Sequence, residues 1–292
     1  MTARSPAAAR APIPRHVVCI RWGTKYGPDY VNRLHAMVSR NLSGFRFTCI
    51  TDDPSGLQAG IETLPFPPLG CDYPDTRRGI WDKARLWRSD IGLTGPILFV
   101  DLDVLITGRM EPFFEHGNAE DVILARNPST PFERLGQTSI YRFPVGKLQP
   151  LHDAFVADPT GIARRYVFEQ RYVTRNAPHG VTFWPRRWVL QFRHDCIWPF
   201  PLNYALTPRL PKDARVVLFA GSLNPPDAIA GRYHRRLPSG ETAMEHVRTA
   251  LRHPHYEGAR VKGLRQFLRP TPWVAEAWRD EPDQMAAADR TD

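Results

Sequence analysis

The sequence predicts an α/β fold in which a mixed, mostly parallel central sheet is flanked by helices and covered by C-terminal segments. Three observations predict it. The first hundred residues run in the order strand, helix, strand, loop, helix, strand, which is the pattern of a sheet built with right-handed crossovers. The run ILFVDLDVLI at 97–106 reads as a buried strand interrupted by two acids. Beyond residue 108 the pattern breaks into short β-like pieces and a stretch dense in tryptophan and proline, which suits segments folded over a site.

The elements follow in order. Residues 16–20 form the first β-like run. Residues 28–40 carry Tyr30, Val31, Leu34, Met37 and Val38 at helical spacing, and Pro28 suits the first turn of that helix. A second β-like run at 45–50 ends at the turn signal Thr51-Asp52-Asp53-Pro54. A proline-rich loop at 65–74 then leads to a helix at 81–89 and to the strand at 96–106. Short strands are expected at 122–125 and 138–142, helices at 148–157 and 162–174, and irregular structure at 184–211. A last β-run at 215–220 precedes the loop GSLNPPDAIAG and a helix at 241–252.

Composition narrows the function classes. The 292 residues are 42% hydrophobic and 24% charged, ordinary for a soluble globular chain, and no apolar run is long enough to span a membrane. The leader MTARSPAAARAPIPR has no continuous apolar segment, so it fails the pattern of a secretory signal. Cys19, Cys49, Cys71 and Cys196 lie far apart with no CxxC pair, which favours free thiols in a reducing cytoplasm over a disulfide framework or a zinc site. The formal net charge of +9, dominated by arginine, favours polyanions, phosphorylated ligands or an anionic membrane surface, and equally describes a solvated basic surface. Because the arginines are dispersed and no zinc-finger, RRM or basic-zipper signature accompanies them, nucleic acid is not the expected partner.

The two acids carry the most chemistry. On a strand, side chains two apart share a face, so Asp101 and Asp103 would approach one ion. Buried side by side without a partner, two carboxylates repel, and each tends to stay protonated. Mg²⁺ or Mn²⁺ removes the conflict, since either takes hard oxygen ligands, keeps some waters and bridges nucleotide phosphates. Pairing with arginines or capping the following turn are the simpler structural uses.

FVDLDVLIT is superficially similar to the first motif of haloacid-dehalogenase-type phosphatases, but it lies a hundred residues into the chain, lacks the Gly-Thr that follows the second acid there, and has no convincing acidic pair downstream. An ordered set of segments, VVCIRWGTKYGPDYVNRL, FTCITDD, GIWDKARLW, ILFVDLDVLITGRMEPFF, GQTSIYRF, FEQRYVT and RVVLFAGSLNPP, resembles nucleotide-sugar-dependent glycosyltransferases of the GT-A fold. The likeness is to bacterial members of the glycogenin and galactosyltransferase-like branch, and it spans roughly residues 17–227.

That resemblance implies a GT-A-like, Rossmann-like domain over 16–258, with a nucleotide-binding half at 16–108 and a sugar and acceptor half at 109–258. It is preceded by a loose leader at 1–15 and followed by a C-terminal helix and disordered tail at 259–292. It implies a metal site at Asp101 and Asp103, and base and ribose contacts from Ile20, Trp22, Thr24, Tyr26, Thr51 and Asp52. Trp22 could equally be core, and Thr51 and Asp52 a turn cap. Lys83 matches a lysine that reaches the donor. Gln137 stands where the family has an amide beneath the donor sugar, with Thr138 and Ser139 beside it. Glu169 and Gln170 resemble the Asp-Gln pair near the sugar and are the candidate catalytic residues, an acid for the departing or attacking oxygen and an amide for hydroxyls; an exposed helix face is the plainer alternative.

One departure stands out. Where the family commonly shows Phe-His-Gly and then Lys-Pro, this chain has Phe219-Ala220-Gly221 and Asn224-Pro225, so the expected metal-ligating histidine and diphosphate-binding lysine are missing. An extra water on the metal, a substitute charge from Arg232, His234, Arg235 or Arg236, or loss of catalysis with nucleotide binding retained would each account for it, and Arg232 leads because arginine stabilises a diphosphate well. The expected function is transfer of a sugar from a nucleoside diphosphate sugar, UDP-linked by resemblance, to a carbohydrate or lipid-linked acceptor. A non-catalytic nucleotide-binding protein and a haloacid-dehalogenase-like phosphatase are the alternatives. The expected place is the cytoplasm, and the charge allows peripheral contact with an anionic inner membrane. Sugar, acceptor, stereochemistry and oligomeric state are left open by the sequence.

Overall fold

The computed structural model describes residues 12–76, 78–130, 132–219, 221, 223–233, 240–252 and 263–280. Most of the expected leader, Ala220, His234, Arg235, Arg236 and the expected tail beyond residue 280 lie outside the described residues.

Among the described residues the strands form two sheets. The larger holds seven strands: β1 (His16–Arg21), β2 (Arg46–Thr51), β3 (Glu62–Pro65), β4 (Pro96–Val100), β6 (Ile123–Arg126), β7 (Gly136–Pro144) and β8 (Thr182–Phe183), in the spatial order β3-β2-β1-β4-β7-β6-β8. All neighbours pair in parallel except β7, which runs against both β4 and β6. The smaller sheet joins β5 (Val104–Ile106), β10 (Val216–Leu218) and β9 (Val189–Gln191) in the order β5-β10-β9.

The central strands are buried on both faces, and the two-residue period sorts their side chains between two cores. Val17, Cys19, Leu98 and Val100 pack towards helix α1 (Pro28–Asn41) and the small sheet. Val18, Ile20, Ile97 and Phe99 pack towards the opposite layer of helices. Helix α1 forms where the sequence places it. Pro28 occupies its first turn, Asp29 and Arg40 complement its dipole at the two ends, and Val31, Leu34, Met37 and Val38 are buried. Each such buried side chain contributes about 1.5–3 kcal/mol of apolar burial.

The opposite layer differs from expectation in two places. The helix expected at 81–89 is a 3-10 helix over Arg78–Trp87. Trp81, Ala84 and Trp87 recur every third residue and are completely buried, a stripe that a three-residue turn keeps on one face. The helix expected at 162–174 is two helices, α4 (Pro159–Tyr166) and α5 (Glu169–Asn176), following the short α2 (Glu111–Glu115) and α3 (Gln149–Ala157). Val167 breaks it at φ 65°, where Phe168 N donates back to Tyr166 O at 2.7 Å in a tight three-residue turn.

The run at 96–106 is also not one strand. It is β4 and β5 separated by a turn at the two aspartates, and β5 leaves the large sheet for the small one. The region at 184–211 is mostly irregular as expected, but it contributes β9 and one π-helical turn, Phe192–Cys196. The expected strand at 215–220 is β10, the helix at 241–252 is Ala243–Arg252, and a short helix, Pro225–Ile229, stands where only a loop was expected. Cys19, Cys49 and Cys196 are buried free thiols and Cys71 a half-buried one. Among the described residues no helix is long and apolar enough to cross a membrane.

Candidate active site at the end of the parallel strands

In an open α/β sheet the crevice past the carboxyl ends of the strands, where chain order reverses, is the natural ligand site. Here the order reverses between β1 and β4, with β2 on one side of β1 and β4 on the other. Ile20 is the last residue but one of β1, Trp22 follows the strand directly, and Asp101 follows β4 directly. A pocket of ≈ 200 Å³ opens at this point, lined by Ile20, Trp22, Lys25, Tyr26, Ile80, Lys83, Asp101, Leu102, Asp103 and Glu169.

The two aspartates do not sit on the one strand face that their spacing predicts. Asp101 and Asp103 share no strand face, because they flank the turn between β4 and β5, yet both reach the same pocket. Asp101 is held by the last rung of the β4–β7 ladder, its backbone N donating to Ser139 O at 2.8 Å. Asp103 Oδ2 accepts the Tyr26 hydroxyl at 2.8 Å. The Oδ1 atoms of both aspartates accept no hydrogen bond among the described residues.

Lys83 arrives through the three-residue period of its 3-10 helix, one turn after Ile80, which lines the same pocket. Its Nζ donates to Asp101 Oδ2 at 2.7 Å and to Thr138 O at 3.2 Å, and lies 3.9 Å from Glu169 Oε1. Glu169, the first residue of α5, is buried and accepts the Thr138 hydroxyl. Strand β7 thus organises the centre through its main chain as much as its side chains.

The electrostatics follow. Burial pushes the Asp103 carboxyl up, and the neighbouring Asp101 charge pushes it further, against the Tyr26 hydrogen bond that lowers it. Burial opposes the charge on Lys83, but Asp101 and Glu169 outweigh it and hold the ammonium above its usual range. Burial and then Asp103 raise the Tyr26 phenol strongly, so it stays a donor. Three carboxylates against Lys83 and Lys25 leave the pocket one negative charge in excess.

The donor set suits a hard divalent cation in part. Two carboxylates with unengaged oxygens fit Mg²⁺ or Mn²⁺, which complete their shells with water and phosphate oxygens. No group of three or more histidine, cysteine, aspartate or glutamate side chains capable of caging a metal alone occurs among the described residues.

Seven of the residues singled out from the sequence therefore meet: Ile20, Trp22, Tyr26, Lys83, Asp101, Asp103 and Glu169. Lys25, Ile80 and Leu102 join them unforeseen; Lys25 carried only its place between Thr24 and Tyr26 as a signal. The other chosen residues do not line the pocket. Thr24 is exposed, and Gln137 is buried on β7. Ser139 contributes its carbonyl to Asp101, and Gln170 lies on α5, where its carbonyl accepts the Thr174 hydroxyl. Thr51 caps its own turn through Asp53, and Asp52 instead ties that turn to the loop after β1 by accepting from Gly23 N at 3.0 Å. Arg232 is committed elsewhere, because its Nε donates to Asp227 Oδ1 at 2.7 Å and Asp227 in turn caps the helix entered at Asn224.

No family profile and no curated protein matches the sequence. The fold, by contrast, is found among solved structures. An active-site variant of LgtC shares it at a TM-score of 0.52 and 13% identity, covering 77% of this chain and 91% of that one. The galactosyltransferase LgtC in complex with donor and acceptor sugar analogues gives 0.51 at 14% identity, over 75% and 90% of the two chains. The apo form of the glycosyltransferase GlyE of Streptococcus pneumoniae TIGR4 gives 0.50 at 12% identity, over 73% of this chain and 56% of that one. The chain has the GT-A-like α/β fold of these glycosyltransferases.

Proposed function

We propose that the chain is a glycosyltransferase that moves a sugar from a nucleoside diphosphate donor, UDP-linked, to a carbohydrate or lipid-linked acceptor. One observation carries the reading: Asp101, Asp103, Lys83 and Glu169 converge in one pocket at the strand ends of a sheet shared with known glycosyltransferases.

Each residue has a part that its placement supports. Asp101 and Asp103 would hold Mn²⁺ or Mg²⁺ through their unengaged oxygens, and such an ion supplies charge stabilisation to a departing diphosphate. Lys83, already ion-paired with Asp101, would turn a donor hydrogen to a phosphate or sugar oxygen. Trp22, stacked on Phe66 with centroids 5.8 Å apart, offers a flat wall to the nucleoside, and Tyr26 orients Asp103 beneath it. Glu169 would assist the departing or attacking oxygen, whereas Gln170, outside the pocket lining, has no part in this reading. The ≈ 200 Å³ pocket is smaller than the roughly 300 Å³ that small-molecule sites start from, so it would take only part of the donor.

A turnover assay tests this. Purified protein with a panel of UDP-sugars and Mn²⁺ should release UDP slowly to water and faster with an acceptor present, and Asp101→Asn should abolish both. UDP binding with no release under any condition favours the second reading, a nucleotide-binding protein without catalysis. That reading is supported by the Lys83–Asp101 ion pair, which occupies one metal-facing carboxylate, and by the lack of a third metal-ligating side chain among the described residues.

A further inference from the structure

A second, larger cavity of ≈ 610 Å³ is lined among others by Arg193, His194, Trp198, Phe200, Tyr233 and Arg265. We infer that it is the acceptor subsite and that it selects a sugar carrying an anionic group, a carboxylate or a phosphate ester. The acceptor role rests on the sugar-transfer reading; the preference for an anionic saccharide rests on the cavity itself.

Position comes from strand register. Val104, the residue after Asp103, pairs with Leu218 on β10, and Leu218 pairs with Gln191 on β9. Asp103 and Phe192 therefore leave the same edge of the small sheet, two strand spacings or about 10 Å apart. Phe192 opens the π-helical turn Phe192–Cys196, which carries Arg193 and His194 into the cavity. Gly221, just past β10, lies against the same arginine: a Cβ built on it would stand 3.4 Å from Arg193 Nη1. A sugar in this cavity would thus meet the end of a donor held at the aspartates.

Chemistry comes from the lining. Two guanidinium groups and an imidazole face the cavity, and none of its described lining residues is acidic. Asp195, on the same turn, is spent internally, its Oδ2 accepting from Gln191 N at 2.7 Å. Arg193 is fixed over the Tyr233 ring at 4.9 Å, whereas the exposed Arg265 side chain forms no ion pair among the described residues. A guanidinium fork matches a carboxylate or a phosphate bidentately. Phe200 leaves 47% of its surface exposed and offers a ring face of the kind that packs on the C–H face of a pyranose, while the neighbouring Trp198 ring carries the Arg209 guanidinium 4.4 Å from its centroid. The Arg265 fork beside the exposed Phe200 ring, in a wall with no acid among its described residues, is the complement of an acidic sugar and a poor match for a neutral one.

The test is calorimetric titration of the full chain, without donor, by lactose, a lactose phosphate monoester and a glucuronic acid–glucose disaccharide. At least one anionic probe should bind about tenfold or more tightly than lactose, the scale of a charge-assisted hydrogen-bonded pair, and the stronger of the two names the anionic group. Arg265→Glu should remove that preference, Phe200→Ala should weaken all three probes, and raising the salt should narrow the gap. If near-UV circular dichroism shows that Arg265→Glu perturbs the fold, Arg265→Gln replaces it, with the same expected loss. Equal affinity for lactose and both anionic probes, or a preference that survives loss of the Arg265 charge, overturns the inference. A UDP-sugar titration of the same preparation separates the two readings. Anionic preference without donor binding keeps the cavity's chemistry and rejects sugar transfer. Donor turnover without anionic preference rejects the cavity's role and leaves transfer standing.

Discussion

Among the described residues Lys83 is the sole cation bonded to Asp101, and replacing it with methionine exposes how the pocket balances its charges. The substitution keeps the apolar stem and deletes the ammonium, leaving Asp101, Asp103 and Glu169 facing one another. The separations of 2.7 Å to Asp101 and 3.9 Å to Glu169 give gross attractions of about 6 and about 4 kcal/mol at an effective dielectric near 20. Desolvation of the ions offsets most of that, and removing one partner of a fully buried pair costs about 3–5 kcal/mol. Lys83 is 15% and Asp101 22% exposed, so the expected loss at pH 7 is nearer 2–3 kcal/mol. The loss should depend on pH. Lys83 is one of the groups that lower the raised Asp103 carboxyl, so without the ammonium that carboxyl sits further above its unfolded value, the folded variant binds more protons than the unfolded one, and its stability falls as pH rises through the carboxylate range. Urea unfolding of both proteins should therefore show a gap that is wide at pH 7 and narrower at pH 5. Saturating Mn²⁺ at pH 7 should narrow it as well, because the ion restores the missing charge. A gap below about 1 kcal/mol that ignores both pH and Mn²⁺ would refute the reasoning, since about 2 kcal/mol is the least a part-buried pair of this geometry should lose.

Three further outcomes follow from the same geometry. Asp103 has its carboxyl raised by burial and by Asp101, so its ionised form destabilises the folded chain at neutral pH and less so as the pH falls towards its folded value. Asp103→Asn should accordingly stabilise the ligand-free protein by about 1 kcal/mol at pH 7 and flatten its stability between pH 4 and 6, read by urea unfolding. Tyr26→Phe removes the 2.8 Å bond to Asp103 and should cost about 1.5 kcal/mol by the same method; a loss within error would mean that the phenol does not orient the carboxylate. Val167, a β-branched residue at φ 65° between α4 and α5, is strained, and Val167→Gly should raise the melting temperature by relieving about 1 kcal/mol. A fall in melting temperature would show that the Val167 side chain stabilises that turn more than its backbone strains it.

How much of this was legible in the sequence depended on whether the signal was local. The doubly buried strands and α1 announce themselves through periodicity and Pro28, and the two acids stand out because their neighbours are all apolar. The turn between Asp101 and Asp103 was invisible, because no glycine or proline marks it and Val104–Ile106 continues the apolar run into another sheet. Val167 breaks a helix at φ 65° and is equally unmarked, with no glycine or proline at the break. Arg232 shows the opposite failure: its chemistry suits a diphosphate, yet Asp227, five residues earlier, engages it first. Thr51 follows the local rule that short polar side chains bond their own turn, whereas Asp52 reaches across to Gly23 on the loop after β1. Lys25 and the cavity around Arg193 and Arg265 arise from residues brought together across the chain, which no local pattern encodes.

The central claim is that Asp101 and Asp103 gather a divalent cation against the diphosphate of a sugar nucleotide. Electron paramagnetic resonance of Mn²⁺ titrated into the protein, alone and with UDP, tests it most directly. The account predicts weak Mn²⁺ binding alone, binding at least about tenfold tighter with UDP, and loss of both in Asp101→Asn and Asp103→Asn. Mn²⁺ and UDP that bind independently of each other, or as well to the two variants as to the unaltered protein, would contradict it.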